Sequence, residues 1–244
     1  MYFWEGHPLI NNQQPEGDLS VLVVVAHPDD EVLGCGGTLV KLAAQNQSVQ
    51  ACILAGDAEV RTDRPELPDL RQDTFKAQEI LGISPPILGG FPNIRLNTVP
   101  HVELVRFIEH AIEQTKANLI FTHHPGDLND DHLQTSRACQ AAARLFQRRS
   151  NLPRLRGLYF MEVPSATDWA LSPGQGFRAN TYVELGHEAL AQKILALKTY
   201  RGVMRDYPHP RSEEAIRGLA AYRGGQSGMQ YAEAFESAFA TLSF

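Results

Sequence analysis

Between residues 19 and 26 the chain reads LSVLVVVA, a short valine-rich run of the length and look of a strand buried on both faces. Apolar residues then recur at helical spacing over 36–45. The alternation continues with a strand at 49–55, a helix at 70–81 closed by Gly82, and a weaker strand at 86–91. Residues 99–116 form a strongly amphipathic pattern, with Val102, Val105, Ile108, Ala111 and Ile112 along one side. A strand at 119–122 and a helix at 131–146 follow. Repeated strand-helix alternation predicts an α/β chain with a mostly parallel sheet between two helical layers, a Rossmann-like three-layer arrangement.

Beyond residue 150 the pattern is less regular. Residues 157–163 and 181–185 read as strands, 188–200 and 231–242 as helices. Residues 201–228, rich in Pro, Gly, Arg and His, read as irregular. No repeat, low-complexity linker or composition break divides the chain, so one domain is expected over 1–244.

Polar residues change this picture at two places. In open α/β sheets, function gathers beyond the carboxyl ends of the strands. The first strand runs straight into His27, Pro28, Asp29, Asp30 and Glu31. The fourth runs into THHPGDLNDDH, residues 122–132, with three histidines and three aspartates. Imidazole and carboxylate are good zinc ligands, and His27 and Asp30 can point at one spot with Asp29 beside it. A third ligand then has to come from the second stretch. Either stretch alone could be a polar loop, with Asp130 or Asp131 capping the next helix. Two such clusters at matching strand ends favour a metal site.

Composition narrows the partners. The formal charge of -6 argues against a nucleic-acid phosphate backbone. The one dense basic cluster, Arg144, Arg148, Arg149, Arg154 and Arg156, reads as a solvated helix end and loop. Three cysteines without CxxC spacing suggest reduced thiols in a cytoplasmic protein. The first seventeen residues lack the basic start and apolar core of a secretion signal. No apolar run reaches the ~20 residues of a membrane span.

AHPDDE at 26–31, followed by D-x-N-x-D-H at 127–132, resembles the LmbE-like, or PIG-L, family of zinc-dependent N-deacetylases. GFPNIRL, EVPSATDW, PHPRS and RGGQSGMQYAEAF are also similar to stretches of bacterial members, so the resemblance covers nearly the whole chain. It implies hydrolysis of the N-acetyl group of an N-acetylglucosamine-type sugar or glycoconjugate by a homo-oligomer. His27, Asp30 and His132 would hold Zn2+, although Fe2+ or Co2+ also suits two histidines and an aspartate. Asp29 would be the general base. The metal-binding core would cover about 18–150 and a substrate-side part about 151–244.

One departure stands out. Many relatives read H-P-D-H, whereas this chain has Asn129 in place of the first histidine. Asparagine can donate a hydrogen bond to an oxyanion but cannot carry a proton or a charge. The proton for the departing amine would come first from Asp29 acting as a shuttle, with His209 and His124 as further candidates. Arg71, Trp169 and Arg211 are the expected substrate contacts, Trp169 by stacking on a sugar face. Asp127, Asp131 and Glu31 are expected to support the ligands from behind. His123 reads as a packed strand-end histidine, and His101, His110 and His187 as solvent-facing.

Gly34, Gly36 and Gly37 invite a dinucleotide-binding reading, but the spacing is wrong and three carboxylates would repel a pyrophosphate. They are expected to let the helix approach the sheet closely. Two other functions stay open. One is hydrolysis of another amide, in a thiol-sugar conjugate or an antibiotic intermediate. The other is a non-catalytic sugar or nucleotide binder on the same fold, against which Asp29 speaks, since binding needs no base.

Overall fold

Alternate residues of the first strand, β1 (Ser20–Val25), are buried in opposite directions. Val21, Val23 and Val25 enter one apolar cluster, while Leu22 and Val24 enter a second. A strand apolar on both sides has to lie inside a sheet covered on both faces. The chain supplies that cover, as seen in a computed structural model that describes residues 18–55, 67–171 and 174–242. The amino-terminal stretch read for a secretion signal lies outside the described residues.

After β1 come α1 (Asp30–Ala44), β2 (Ser48–Ile53), α2 (Leu67–Leu81), β3 (Ser84–Leu88), α3 (His101–Thr115), β4 (Leu119–His123) and α4 (Asp130–Ala142). The second half adds β5 (Gly157–Met161), β6 (Thr181–Glu184), α5 (Gly186–Thr199), α6 (Glu213–Ser227) and β7 (Ala232–Ala240). The strands form one sheet in the order β3-β2-β1-β4-β5-β7-β6. The first five are parallel; β7 runs antiparallel between β5 and β6. Helices α1, α2 and α5 pack together in one layer, and α3 and α4 in the other. The two apolar clusters are the interfaces of these layers with the sheet. The expected three-layer α/β fold is therefore present. Among the described residues, no helix is long and apolar enough to cross a membrane.

Three elements differ from the sequence reading. Helix α1 begins at Asp30 rather than at residue 36, so the acidic motif opens the helix. Residues 213–227, read as irregular, form α6. Its start carries a cap signal that the surrounding glycines and arginines obscured: the Ser212 side chain accepts the Ala215 N–H at 3.1 Å. Residues 231–242, read as helical, instead contain β7. The Ala and Glu content favours a helix locally, but tertiary packing overrides it. Phe235 is fully buried against Phe121, with ring centroids 4.9 Å apart, and Glu233 is drawn inward on the same face.

Glu233 meets a need created in α1. The backbone leaves helical geometry at Cys35 (φ -147°), so the N–H groups just beyond lose their helical acceptors. Gly37 and Thr38 donate to the Glu233 carboxylate at 3.0 and 2.7 Å, and the Thr38 hydroxyl donates at 2.6 Å. Lys193 of α5 balances the charge at 2.6 Å and also donates to Leu33 O at 2.8 Å. The close approach needs glycine: a Cβ at Gly37 would lie 2.8 Å from the Leu185 methyls. This buried pair fastens the carboxyl-terminal strand to the helix that opens with Asp30. Glu233→Ala leaves Lys193 buried without its partner, and is expected to cost about 3–5 kcal/mol in urea denaturation. A double change of Lys193 and Glu233 to Met is expected to recover only part of that loss, because the Gly37 and Thr38 N–H groups stay without their acceptor.

Candidate metal centre

Strand order reverses in direction about β1, which sits between β2 and β4, and the two acidic stretches follow β1 and β4. This is the crevice where open α/β sheets bind ligands. The Ala26 N–H donates to His123 Nε2 at 2.9 Å, which ties the two strand ends together. The His27 N–H donates to Asp30 Oδ2 at 3.0 Å. Between them, Asp29 has φ 106°, a left-handed conformation that costs a non-glycine residue about 1–3 kcal/mol. Its N–H donates to Glu31 Oε2 at 3.1 Å. The other Glu31 oxygen accepts the Tyr200 hydroxyl at 2.6 Å and Gln78 Nε2 at 2.9 Å. Glu31 thus braces the turn from behind. Burial pushes its pKa up to about 7 against the Tyr200 hydrogen bond, with Asp29 and Asp30 adding to the rise.

Three donor groups converge in front of this turn. His27 Nδ1 and His132 Nε2 each lie 3.2 Å from Asp30 Oδ2, and ligand atoms of the three residues are all within 4.8 Å of one another. Each imidazole is held by a carboxylate on its far side. His27 Nε2 is 3.0 Å from Asp131 Oδ2, and that carboxylate also accepts the N–H groups of Ile94 and Leu96 at 2.6 and 2.9 Å. His132 Nδ1 is 3.0 Å from Asp127 Oδ2, off the line of an ideal hydrogen bond. Asp127 in turn accepts the Thr167 hydroxyl and the Asn129 N–H, both at 2.9 Å. Carboxylates behind imidazoles are the usual way to aim the remaining ring nitrogen at a metal.

A second trio, His123, Asp127 and His132, is equally close-set. There, however, His123 Nε2 already accepts the Ala26 N–H, and both Asp127 oxygens are engaged. The His123 ring stacks on His132 with centroids 3.9 Å apart. His123 is therefore packed at the strand end, as its sequence position suggested.

Electrostatics favour a cation among His27, Asp30 and His132. Burial opposes charge on His132, yet Asp30 and Asp127 overcome it and raise its pKa to about 10. Burial is likewise outweighed at His27, which is raised by its bonds to Asp131 and Asp30. Burial raises Asp30, but His132 and His27 hold its carboxyl well below the usual range. By contrast, burial and the neighbouring His132 push His123 down to about 3. The carboxylates that raise both imidazoles would equally draw a divalent ion to them, in competition with protons.

The remaining candidate residues fall at different distances from this cluster. Asn129 caps α4, its Oδ1 accepting the Asp131 N–H at 3.0 Å, so its amide nitrogen is the end left to donate elsewhere. His124 accepts the Gly126 N–H on Nδ1 at 3.0 Å, and its Nε2 lies 3.3 Å from Glu236. Burial lowers its pKa in spite of Glu236. Arg211 reaches Asp29 directly, with Nη1 3.2 Å from Oδ2, and its Nε donates to Ser165 Oγ at 2.7 Å. His209, on the same loop, is exposed and accepts the Arg211 N–H on Nδ1 at 3.0 Å. Trp169 is 52% exposed, two residues beyond the Thr167 that binds Asp127. Arg71 is exposed on α2, with no contact to the cluster among the described residues. Residues 123, 101, 110 and 187 sort as expected, the last three being exposed. Sequence reasoning missed Tyr200, Gln78, Ser165 and Thr167. The last two sit inside EVPSATDW, but Tyr200 and Gln78 lie on helices with nothing local to mark them.

These contacts have measurable consequences. His132→Ala is expected to abolish stoichiometric metal binding, read by metal analysis after dialysis. Asp127→Ala or Asp131→Ala is expected to weaken binding by about 10–100-fold. Because His132 and His27 are raised in the metal-free protein, binding is expected to release protons and to weaken as pH falls. Calorimetry in buffers of differing ionisation enthalpy checks both signs.

Comparison with known proteins gives the fold a family. Residues 22–143, half of the 244-residue chain, match the family described as PIG-L: GlcNAc-PI de-N-acetylase. The chain is 27% identical over 190 residues to YaiS of Escherichia coli (strain K12), described as an uncharacterized deacetylase, covering 74% of this chain and 90% of that protein. The conserved protein TT1542 from Thermus thermophilus superposes with TM-score 0.74 at 27% identity, over 93% of this chain and 97% of that one. N,N'-diacetylchitobiose deacetylase from Pyrococcus horikoshii superposes with TM-score 0.71 at 17% identity, over 93% and 87%. GalB, a 4-carboxy-2-hydroxymuconate hydratase of Pseudomonas putida KT2440, reaches 0.71 at 19%, over 93% and 98%, so the fold alone does not fix the reaction. With half of the chain matched, including both His- and Asp-rich stretches, the chain belongs to the PIG-L family of deacetylases.

Proposed function

We propose that the protein is a zinc-dependent hydrolase that removes the acetyl group from an N-acetylglucosamine-type sugar or sugar conjugate. The observation that carries this reading is the convergence of His27, Asp30 and His132, with each imidazole backed by a carboxylate and Asp29 standing beside them. Two imidazoles and one carboxylate suit Zn2+, and also Fe2+ or Co2+. Bound there, such an ion would acidify a water and polarise an amide carbonyl.

The chain's own residues supply the proton transfers. Asp29 accepts a proton from the attacking water as its oxygen bonds to the acetyl carbon. When the carbon–nitrogen bond breaks, Asp29 returns that proton to the departing amine, leaving acetate and a free amino sugar. Asp29 is suited to this shuttle by its backbone, which is strained to φ 106° and braced through Glu31. A strained carboxylate at a ligand set is a costly feature for a binder that performs no chemistry. Asn129 can donate its amide N–H groups to the carbonyl oxygen. His124 is occupied at both ring nitrogens, by Gly126 and by Glu236. His209 keeps Nε2 as its proton-bearing atom, because Nδ1 accepts the Arg211 N–H. It is therefore the second choice for acid. Trp169 offers an exposed indole for the sugar face. The buried free thiols of Cys35, Cys52 and Cys139 suit a cytoplasmic protein.

The direct test is amine release from a panel of N-acetylglucosamine derivatives by metal-loaded protein. Hydrolysis of none of them would sink the reading. Asp29→Ala is expected to keep about one metal ion per chain while losing about 10²–10⁴-fold in turnover. Retained activity would remove Asp29 from its role as base.

A further inference from the structure

We propose that Arg211 is a catalytic residue whose guanidinium takes up the negative charge of the tetrahedral state, the charge that Asn129 cannot match. This rests on Asp29 being the base.

The first ground is placement. Arg211 Nη1 lies 3.2 Å from Asp29 Oδ2, and only 14% of the arginine side chain is exposed. A guanidinium removed from solvent interacts strongly with any charge that develops beside it. The second ground is aim. Nε donates to Ser165 Oγ at 2.7 Å, and Ser165 is itself held in the left-handed region, at φ 70°. The Arg211 backbone N–H is anchored on His209 Nδ1, and the next residue, Ser212, caps α6. The head of the side chain is fixed at one edge by Ser165, and its base by the start of a helix. The third ground is capacity: Nη2 has no hydrogen bond among the described residues, so the fork retains donors for a substrate oxygen.

The charge also moves in the right direction. Before attack, negative charge rests on Asp29. During attack the water proton passes to Asp29, while the electron pair of the C=O bond moves onto the carbonyl oxygen. A guanidinium bound along one edge to Asp29 therefore meets the anion wherever it resides, with little reorganisation. On collapse the oxygen returns its electron pair to carbon, the amine leaves with the proton from Asp29, and the ion pair is restored. Asn129 cannot do this, because its amide can donate a hydrogen bond but carries no charge.

The test uses full-length, zinc-loaded protein and whichever N-acetylglucosamine derivative the wild type hydrolyses. Arg211→Gln is expected to lower kcat by about 10²–10³-fold with KM within about threefold, and Arg211→Lys to fall between. Adding Asn129→His to Arg211→Gln is expected to recover about tenfold or more, since it restores a cation; in the wild-type background the gain is expected to be smaller. Zinc titration of metal-free protein provides a readout without turnover. Arg211→Gln is expected to bind zinc as tightly as the wild type or more tightly, because a positive charge beside the site is gone. A raised KM with unchanged kcat would make Arg211 a ground-state sugar contact and overturn the proposal. Weakened zinc binding, or no recovery with Asn129→His, would make it a structural clamp and overturn it too. A wild type that loads zinc but hydrolyses nothing refutes the function proposed above, whereas an active wild type matched by Arg211→Gln refutes only this role.

Discussion

Charge crowding at one edge of a parallel sheet is the constraint around which the rest of this protein is arranged. Asp29, Asp30, Glu31, Asp127 and Asp131 are all buried between the ends of β1 and β4 and the first turns of α1 and α4. Carboxylates at such density are tolerable only if each is matched, and the matching is divided. Asp30 faces two imidazoles, Asp127 and Asp131 stand behind those imidazoles, Asp29 meets Arg211, and Glu31 receives neutral donors from Tyr200 and Gln78. Each acid thereby acquires a distinct electrostatic setting although three of them are adjacent in sequence. Differences in setting, rather than in residue type, would let one aspartate coordinate a metal and its neighbour move protons, as the proposed reaction requires.

Holding that arrangement requires a rigid frame. β1 and β4 are buried central strands, and the Ala26–His123 hydrogen bond fixes their ends relative to one another. Rigidity on the opposite side comes from a polar contact inside the apolar layer, where Glu233 and Lys193 join β7, α5 and the kink of α1. The kink lies in the first turns of the helix that opens with Asp30, so a carboxyl-terminal strand stabilises an amino-terminal motif.

Much of this was legible in the chain. The two-sided burial of β1 follows from its unbroken valines, and the site follows from acidic and histidine-rich loops at the ends of two strands. Asp127 and Asp131 could be expected as supports from their place in the second acidic stretch, but which imidazole each backs, Asp131 behind His27 and Asp127 behind His132, could not. What escaped was decided by contacts distant in sequence. The Ala-Glu-Ala-Phe-Glu run of β7 favours a helix until Phe235 meets Phe121 and Glu233 meets Lys193. Tyr200 and Gln78 read as ordinary helix residues, because the carboxylate they serve lies 169 and 47 residues away. Arg211 was expected as a substrate contact, but its reach to Asp29 was not, because that reach depends on an α6 whose cap was hidden in a stretch without periodicity.

The Thr167 hydroxyl joins the turn after β5 to the acidic stretch after β4. It accepts the Val163 N–H, so it fixes the turn that presents Trp169, and it donates to Asp127, which backs His132. One side chain therefore couples loop shape to the carboxylate behind His132 through two hydrogen bonds. Grafting a loop of different length between β5 and β6 would alter the setting of Asp127 and His132 along with the position of Trp169, unless a hydroxyl were kept at that point.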